Sequence, residues 1–355
     1  MTRIEWTEAT WNPIVGCSVV SPGCTNCYAM KAAWRMGSNP GTPQYHGLTR
    51  WTKGGSVWTG KVHLHEPALM APLKRRTPTM YFVNSMGDLF HEDVPDDWID
   101  RVFAVMAMCP QHTFQVLTKR ADRMREYMRC RPTGRLGHSA FNLAFQSEIE
   151  KPGSSCPVVF DKPNIHAREW PLPNVWLGVS AEDQTRADER IPDLLATPAA
   201  VRFVSAEPLL GPVDMVPWLR EIYWAADFSA EAGGGSSHGV RPRVNWIITG
   251  GESGPNARPM HPDWARSIRD QCVAAGVPFF FKQWGEWALA RPKPSGRPGK
   301  YAIADAGGKY VTRTHHYPRM IDLFGGSAAL ECVGKKVAGR LLDGRTWDQM
   351  PGGVL

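Results

Sequence analysis

The sequence predicts an α/β chain built on a TIM-like (β/α) barrel, partial or complete, with about six or seven parallel strands. Three observations predict it. Short, nearly continuous apolar runs recur along the chain, helical patterns separate most of them, and each of six runs ends in a polar cluster. Continuous apolar character marks strands buried on both faces, which is the condition inside a parallel sheet. Alternation with helices implies βαβ units.

The runs are Trp11–Cys17, Met80–Ser85, Thr113–Thr118, Val175–Ser180, Val201–Ser205, Val244–Thr249 and Pro278–Lys282. Helices are expected over Asp97–Cys109, stopped by Pro110, and over 121–130, 186–196 and 262–275, the last closed by Gly276. The barrel with its insertions is expected to span 1–287. The insertions are 37–79, the proline-rich 131–173, and 227–243, whose Gly and Ser content predicts a flexible loop. Residues 288–355 read as an appendage, with a small hairpin over 301–312 and a basic closing helix over 327–343.

Composition excludes several classes. The 355 residues are 43% hydrophobic and 21% charged, as in a globular chain with material for a core. No apolar run approaches the ~20 residues of a membrane-spanning helix, so no membrane partner is expected. Met1–Glu8 lacks the apolar stretch of a secretory signal, which predicts a reducing cytoplasm and cysteines kept as thiols or metal ligands. A net charge of +7 is compatible with a polyanionic partner and requires none.

The polar clusters carry the chemistry. They are Asn84–Asp88, Thr118–Arg120, Ser180–Asp183, Ser205–Glu207, Thr249–Ser253 and Lys282–Trp284. In such barrels the active site lies at the carboxyl ends of the strands. The repetition of Ser-Ala-Glu, Ser-Ala-Glu and Gly-Gly-Glu places Glu182, Glu207 and Glu252 alike. A shared site explains that repetition better than loop polarity alone. Structural ion pairs with barrel lysines or arginines remain the alternative for each carboxylate.

Three of the eight cysteines crowd one loop, Cys17, Cys24 and Cys27, around the Pro22-Gly23 turn. Three thiols on a short loop suit an iron–sulfur cluster with one open iron. They also suit a structural zinc, with a fourth ligand drawn from His46, His63 or His65. Unligated thiols are the third reading. Cys109 and Cys272 lie in helical, apolar surroundings and are expected in the core. Cys130, Cys156 and Cys332 are isolated, and no role is assigned to them.

With that loop after the first strand of a partial (β/α) barrel, the chain resembles the radical S-adenosylmethionine superfamily. More closely it is similar to a phage and bacterial family often encoded beside a three-Cys-motif partner protein. The matching segments are Thr10–Tyr28, Phe82–Pro95, Leu177–Asp183, Phe203–Gly211, Trp246–Gly254, Phe280–Trp287 and Lys336–Pro351. Two departures stand out. Six residues separate Cys17 from Cys24 where the superfamily has three, and Asn26 occupies the usual aromatic position, with Tyr28 just beyond.

The resemblance implies a [4Fe–4S] cluster on Cys17, Cys24 and Cys27, with S-adenosylmethionine chelated on the open iron. Reductive cleavage would yield a 5′-deoxyadenosyl radical that abstracts hydrogen from a substrate, and a flavodoxin or ferredoxin would donate the electron. It further implies that Ser85, Gly87 and Asp88 hold the methionyl ammonium, that Lys119 and Arg120 neutralise the methionyl carboxylate or an anionic substrate, and that Glu182 and Tyr28 contact the cofactor. Glu207, Glu252 and Lys282 are the expected catalytic groups. The substrate is unspecified, with a nucleotide or nucleic acid as the leading class.

Weaker signals carry less. Gly250–Gly254 lacks the spacings of phosphate-binding loops. The tail pair His315-His316 has no spaced partner and reads as surface. Trp6, Trp11, Trp34, Trp51 and Trp58 lie near the cysteine loop, where base stacking would need a basic groove as well. The competing reading of the whole chain is a non-catalytic nucleic-acid-binding protein with zinc at the cysteine loop. The strand-end carboxylates argue against a polyanion-binding face, and so favour the enzyme.

Overall fold

The computed structural model describes residues 4–130, 170–228, 235–290, 299–314 and 327–353. Seven strands form its central sheet: β1 (Ala9–Trp11), β2 (Met80–Val83), β3 (Thr113–Thr118), β4 (Val175–Ser180), β5 (Val201–Ala206), β6 (Trp246–Gly250) and β7 (Phe279–Gln283). Their spatial order follows the sequence and every neighbouring pair is parallel. No ladder joins β1 to β7, so the sheet is a half-barrel. The predicted α/β class and partial TIM-like barrel are therefore what the chain forms.

The apolar runs form strands because both faces are covered. Every residue of β4 and of β6 is buried. Leu177, Val179, Val204, Ile247 and Phe281 point to the helices. Phe82, Trp176, Phe203, Trp246 and Phe280 alternate with them and fill the concave side with Trp6. Trp6 meets Phe82 edge-on at 4.8 Å, and Trp176 meets Trp246 at 6.0 Å. Burying each such ring contributes about 1.5–3 kcal/mol, and the edge-to-face geometry roughly 0.5–1.5 more. These rings plug the barrel interior and leave its carboxyl end open.

α1 (Tyr28–Gly37) packs with Val15, Tyr45, Leu48 and Trp58, and the outer layer on the sheet is α2 (Asp96–Met108), α3 (Ala121–Cys130), α4 (Gln184–Ala196) and α5 (Pro262–Ala275). Asp183 caps α4 by accepting the Arg186 amide at 2.9 Å, and α5 ends at Gly276 as predicted. Between β5 and β6 the described residues hold no long helix. A short 3-10 turn at Val216–Trp218 precedes an antiparallel pair, 222–228 with 235–241. Much of the segment expected as a loop over 227–243 is thus strand.

Other expectations change in detail. The first predicted strand splits into β1 and a two-residue piece, Ile14–Val15, paired with His63–Leu64. Pro13 stands at the break, where its missing N–H interrupts a ladder. The insertion 37–79 carries a second hairpin, Thr49–Thr52 with Gly55–Trp58, packed on α1. The hairpin near 301–312 forms as 300–304 with 310–314. The closing helix predicted over 327–343 does not form. Ala328–Cys332 is a strand between Trp287–Leu289 and 300–304, and only Lys335–Ala338 is helical. Ala329 and Leu330 are buried between those strands, and that packing outweighs helical propensity. Most of the insertion 131–173, with Cys156, lies outside the described residues, as does His315-His316.

The C-terminal segment returns to the barrel. Asp348 bridges Phe280, Gln349 donates its amide to Phe279 O at 3.2 Å, and Phe281 donates to Trp347 O at 2.9 Å. This strap covers the free edge of β7.

Candidate active site

The carboxyl ends of the strands enclose a cavity of about 270 Å³. Its wall includes Cys17, Cys24, Cys27, Tyr28, Ser85, Gly87, Asp88, Lys119, Arg120, Glu207, Glu252 and Lys282. Twelve of the thirteen sequence-predicted site residues therefore meet in one place, since only Glu182 is missing from the wall. Trp6, Phe82 and Leu117 form the apolar floor.

The cysteine loop is built from turns. Pro22–Cys24 is a 3-10 turn, and the Cys27 amide donates to Cys24 O at 3.2 Å. Cys27 then occupies the N-cap of α1. Burial pushes the Cys17 thiol up to about 12, reinforced by Asp88 and only partly opposed by Arg120. Burial also raises Cys27, against the lowering effect of the Met30 and Ala29 amides. Neither is a free thiolate at neutral pH, so a nucleophilic role finds no support there. Thiols become ligands when a cation displaces their protons.

Among the described residues, no group of three or more His, Cys, Asp or Glu side chains is placed to hold a single metal ion. A cluster of several irons places each thiolate on a different iron, and so asks for a wider spread than one tetrahedral ion does. Three thiols on one cavity wall are the type of donor such a group takes. His46, His63 and His65, the candidate fourth ligands for zinc, do not line the cavity. The His46 and His63 rings lie 3.2 Å from the Asn39 and Gln44 carbonyls.

The strand-end acids serve three different ends. Asp88 is buried and receives four donors: the Phe90 amide, the Thr118 hydroxyl, the Lys119 amide and Arg120 Nη1, all within 2.7–3.1 Å. That carboxylate is committed to the protein rather than to a ligand's ammonium. It steers Arg120, whose guanidinium also donates to Glu92 (2.6 Å), Ser18 (2.6 Å) and Cys17 Sγ (3.7 Å). Burial alone would lower the Arg120 pKa, but Asp88 and Glu92 hold it above its ordinary value. Gly87 permits the close approach beneath this network, for a Cβ there would lie 2.9 Å from Ile14 O.

Glu182 and Glu252 grip the cysteine loop from opposite sides. Glu182 is fully buried, pairs with Arg190 at 3.1 Å, and accepts the Gly23 amide at 3.0 Å. A Cβ on Gly23 would stand 2.9 Å from that carboxylate. Burial would raise the Glu182 pKa, yet Lys119, Arg190 and the loop donors hold it below the usual carboxylate range. Glu252 accepts from Asn26 Nδ2 at 2.9 Å and pairs with Arg258 at 2.5 Å. Arg258 in turn donates to Pro22 O at 3.0 Å.

A family model described as a protein of unknown function, DUF5131, matches residues 1–351. The chain belongs to that family. No curated protein and no solved structure matches it.

In this DUF5131 chain Glu207 is the strand-end carboxylate that faces the cavity with the fewest commitments. Lys282 Nζ lies 3.3 Å from it and Ser205 Oγ 3.2 Å. Lys119 makes no side-chain hydrogen bond or ion pair among the described residues, although it lines the cavity. Tyr28 donates to Ser85 O at 2.9 Å and forms part of the rim. Sequence reasoning missed Ser18, Glu92, Asn26, Arg190 and Arg258. Each acts through a partner distant in sequence or on an adjoining helix or loop, and the composition of their own segments carries no sign of it. The described residues contain no helix long and apolar enough to cross a membrane.

Proposed function

We propose that this chain is a radical S-adenosylmethionine-type enzyme with its reaction centre in the half-barrel cavity. One observation carries the reading: three thiols from one loop line the same cavity as the polar ends of a partial parallel barrel. Cys17, Cys24 and Cys27 would hold three irons of a [4Fe–4S] cluster. With S-adenosylmethionine, that group supplies one-electron cleavage and a carbon-centred radical able to abstract hydrogen.

The chain's own residues bind, orient and exclude water. Arg120 donates to Cys17 Sγ and sets a positive charge beside that ligand, which tunes its electron richness. Lys119, whose charge also acts on Glu182, presents an ammonium to the cavity for a carboxylate there. Lys282 and Ser205 orient Glu207 through Oε2, which leaves Oε1 to take a proton. Trp6, Phe82 and Leu117 keep the floor dry. Glu182 and Glu252 hold the loop in place and so act as positioning residues. A flavodoxin or ferredoxin suits the electron supply this chemistry needs, and a three-Cys-motif protein is a candidate partner.

Anaerobic reconstitution with iron and sulfide tests the reading. About four irons per chain, a visible charge-transfer band, and its loss in Cys17→Ala are expected. A reduced-state EPR signal that shifts on adding S-adenosylmethionine would complete the case. One zinc and no iron would overturn it.

A further inference from the structure

We propose that the wall formed by residues 9–65 binds single-stranded nucleic acid and leads it into the cavity, so that a nucleotide of that strand is the substrate. This deepens the enzymatic reading and rests on it for the word substrate; the binding itself stands on separate observations.

Charge is the first. No Asp or Glu occurs between Glu8 and Glu66, where the chain's mean density of acids would place about five. The same stretch carries Lys31, Arg35, Arg50, Lys53 and Lys61. Most of the chain's +7 is therefore concentrated on the segment that contains the cysteine loop, α1 and the hairpin 49–58.

Geometry is the second. Lys31, Trp34 and Arg35 follow i, i+3, i+4 spacing on α1 and so share one face. Lys31 Nζ lies 3.5 Å from Pro255 O, and Pro255 follows the Thr249–Ser253 cluster that ends β6. Trp34 packs at 5.4 Å against Trp51, which is 64% exposed. Trp51 stands opposite Ser56, and Trp58 opposite Thr49, so strand alternation puts both indoles on one side of the hairpin. Trp58 lines the cavity. The exposed Trp51 with Trp34, and Lys31 and Arg35 beside them, therefore lie on α1 and its hairpin next to Trp58, which is buried and borders the cavity. Rings and cations together are what single-stranded nucleic acids use for stacking and phosphate contact.

The third observation removes the electrostatic objection. Asp88, Glu182, Glu207 and Glu252 each have a cation within 2.5–3.3 Å, namely Arg120, Arg190, Lys282 and Arg258. Lys119 adds a cation to the cavity wall. A polyanion entering there meets paired charge, not a ring of bare carboxylates.

Fluorescence anisotropy with labelled oligo(U) and oligo(dT) of about 12 nucleotides tests this. Both strands should bind more tightly than a duplex, with log affinity falling against log salt at a slope of roughly −2 to −3. Trp51→Ala should weaken binding about ten- to a hundredfold with unchanged thermal unfolding. Arg35→Gln should flatten the salt slope by about 0.7. The stronger of the two strands identifies the sugar. Protein before reconstitution with iron and sulfide should bind both strands as the reconstituted protein does, so failure of the cluster and failure of the strand site are read separately. Absence of binding to either strand overturns the proposal. So does full affinity in Trp51→Ala, or displacement by polyglutamate as effective as by unlabelled oligonucleotide, which would point to an acidic protein partner instead.

Discussion

The two walls of the cavity handle charge in opposite ways. The strand-end wall carries an acid after β2, β5 and β6, with Glu182 after β4 buried behind it, and each is matched by a nearby cation. Segment 9–65, whose cysteine loop and Trp58 line the cavity, carries five cations outside that lining and no acid. Paired charges inside a fold fix geometry, while unpaired charges at a surface remain free for a ligand. The contrast sets paired charge at the strand ends apart from the cations of segment 9–65, which the proposed strand binding would use.

The sharpest way to break this division is Glu182→Gln. It leaves Arg190 buried without its anion, and should cost about 3–5 kcal/mol in denaturant unfolding. Charge removal on the other wall, as in Lys53→Gln, should leave the unfolding midpoint within about 0.5 kcal/mol. Equal losses would erase the distinction.

Arg120→Lys ranks next. It keeps the charge but loses the fork that joins Asp88, Glu92, Ser18 and Cys17, at about 1–2 kcal/mol. In reconstituted protein the midpoint potential should also shift, which a purely structural arginine would not produce.

Acid titration sharpens the comparison further. Arg120 and Ser18 hold Glu92 at about 2, although burial pushes the other way. A carboxyl depressed in the folded state contributes stability above its ordinary value near 4.5, and that stability is lost as pH falls toward about 2. Unfolding midpoints should therefore drop across that interval, and Glu92→Gln should flatten the drop. Glu182, also held low, contributes in the same direction.

Among the strand-end acids, Glu207→Gln should have the smallest effect on stability, about 1 kcal/mol or less, because the amide oxygen still accepts from Lys282. Turnover is the readout that separates it from the structural acids. A stable variant with normal cluster content and no product formation would mark it as the proton carrier.

The sequence made the scaffold legible wherever burial was two-sided. Thr113–Thr118, Val175–Ser180, 121–130 and 262–275 coincide with the structure because apolar runs and helical periodicity leave little room for another reading. The convergence of strand-end residues was legible too, since a parallel sheet sends all its carboxyl ends one way. What each carboxylate does there was not. Glu182 and Glu207 share the Ser-Ala-Glu motif, yet one is fully buried against Arg190 and the other faces the cavity. That difference depends on which helix returns an arginine beneath the strand. The hairpin at 49–58 did carry a signal in its two-residue Lys53-Gly54 turn between β-prone runs. The strand at 328–332 carried none strong enough, because its partners lie far away in sequence.

The strap at residues 347–349 has a consequence for biogenesis. A ribosome releases β7 well before the residues that pair with its outer edge, so the nascent half-barrel carries an open ladder throughout that interval. Such an edge is a template for pairing with a neighbouring chain. Premature termination before Trp347 would therefore leave a sheet that is complete in its strands and prone to aggregate, and translation speed over the tail becomes a determinant of yield.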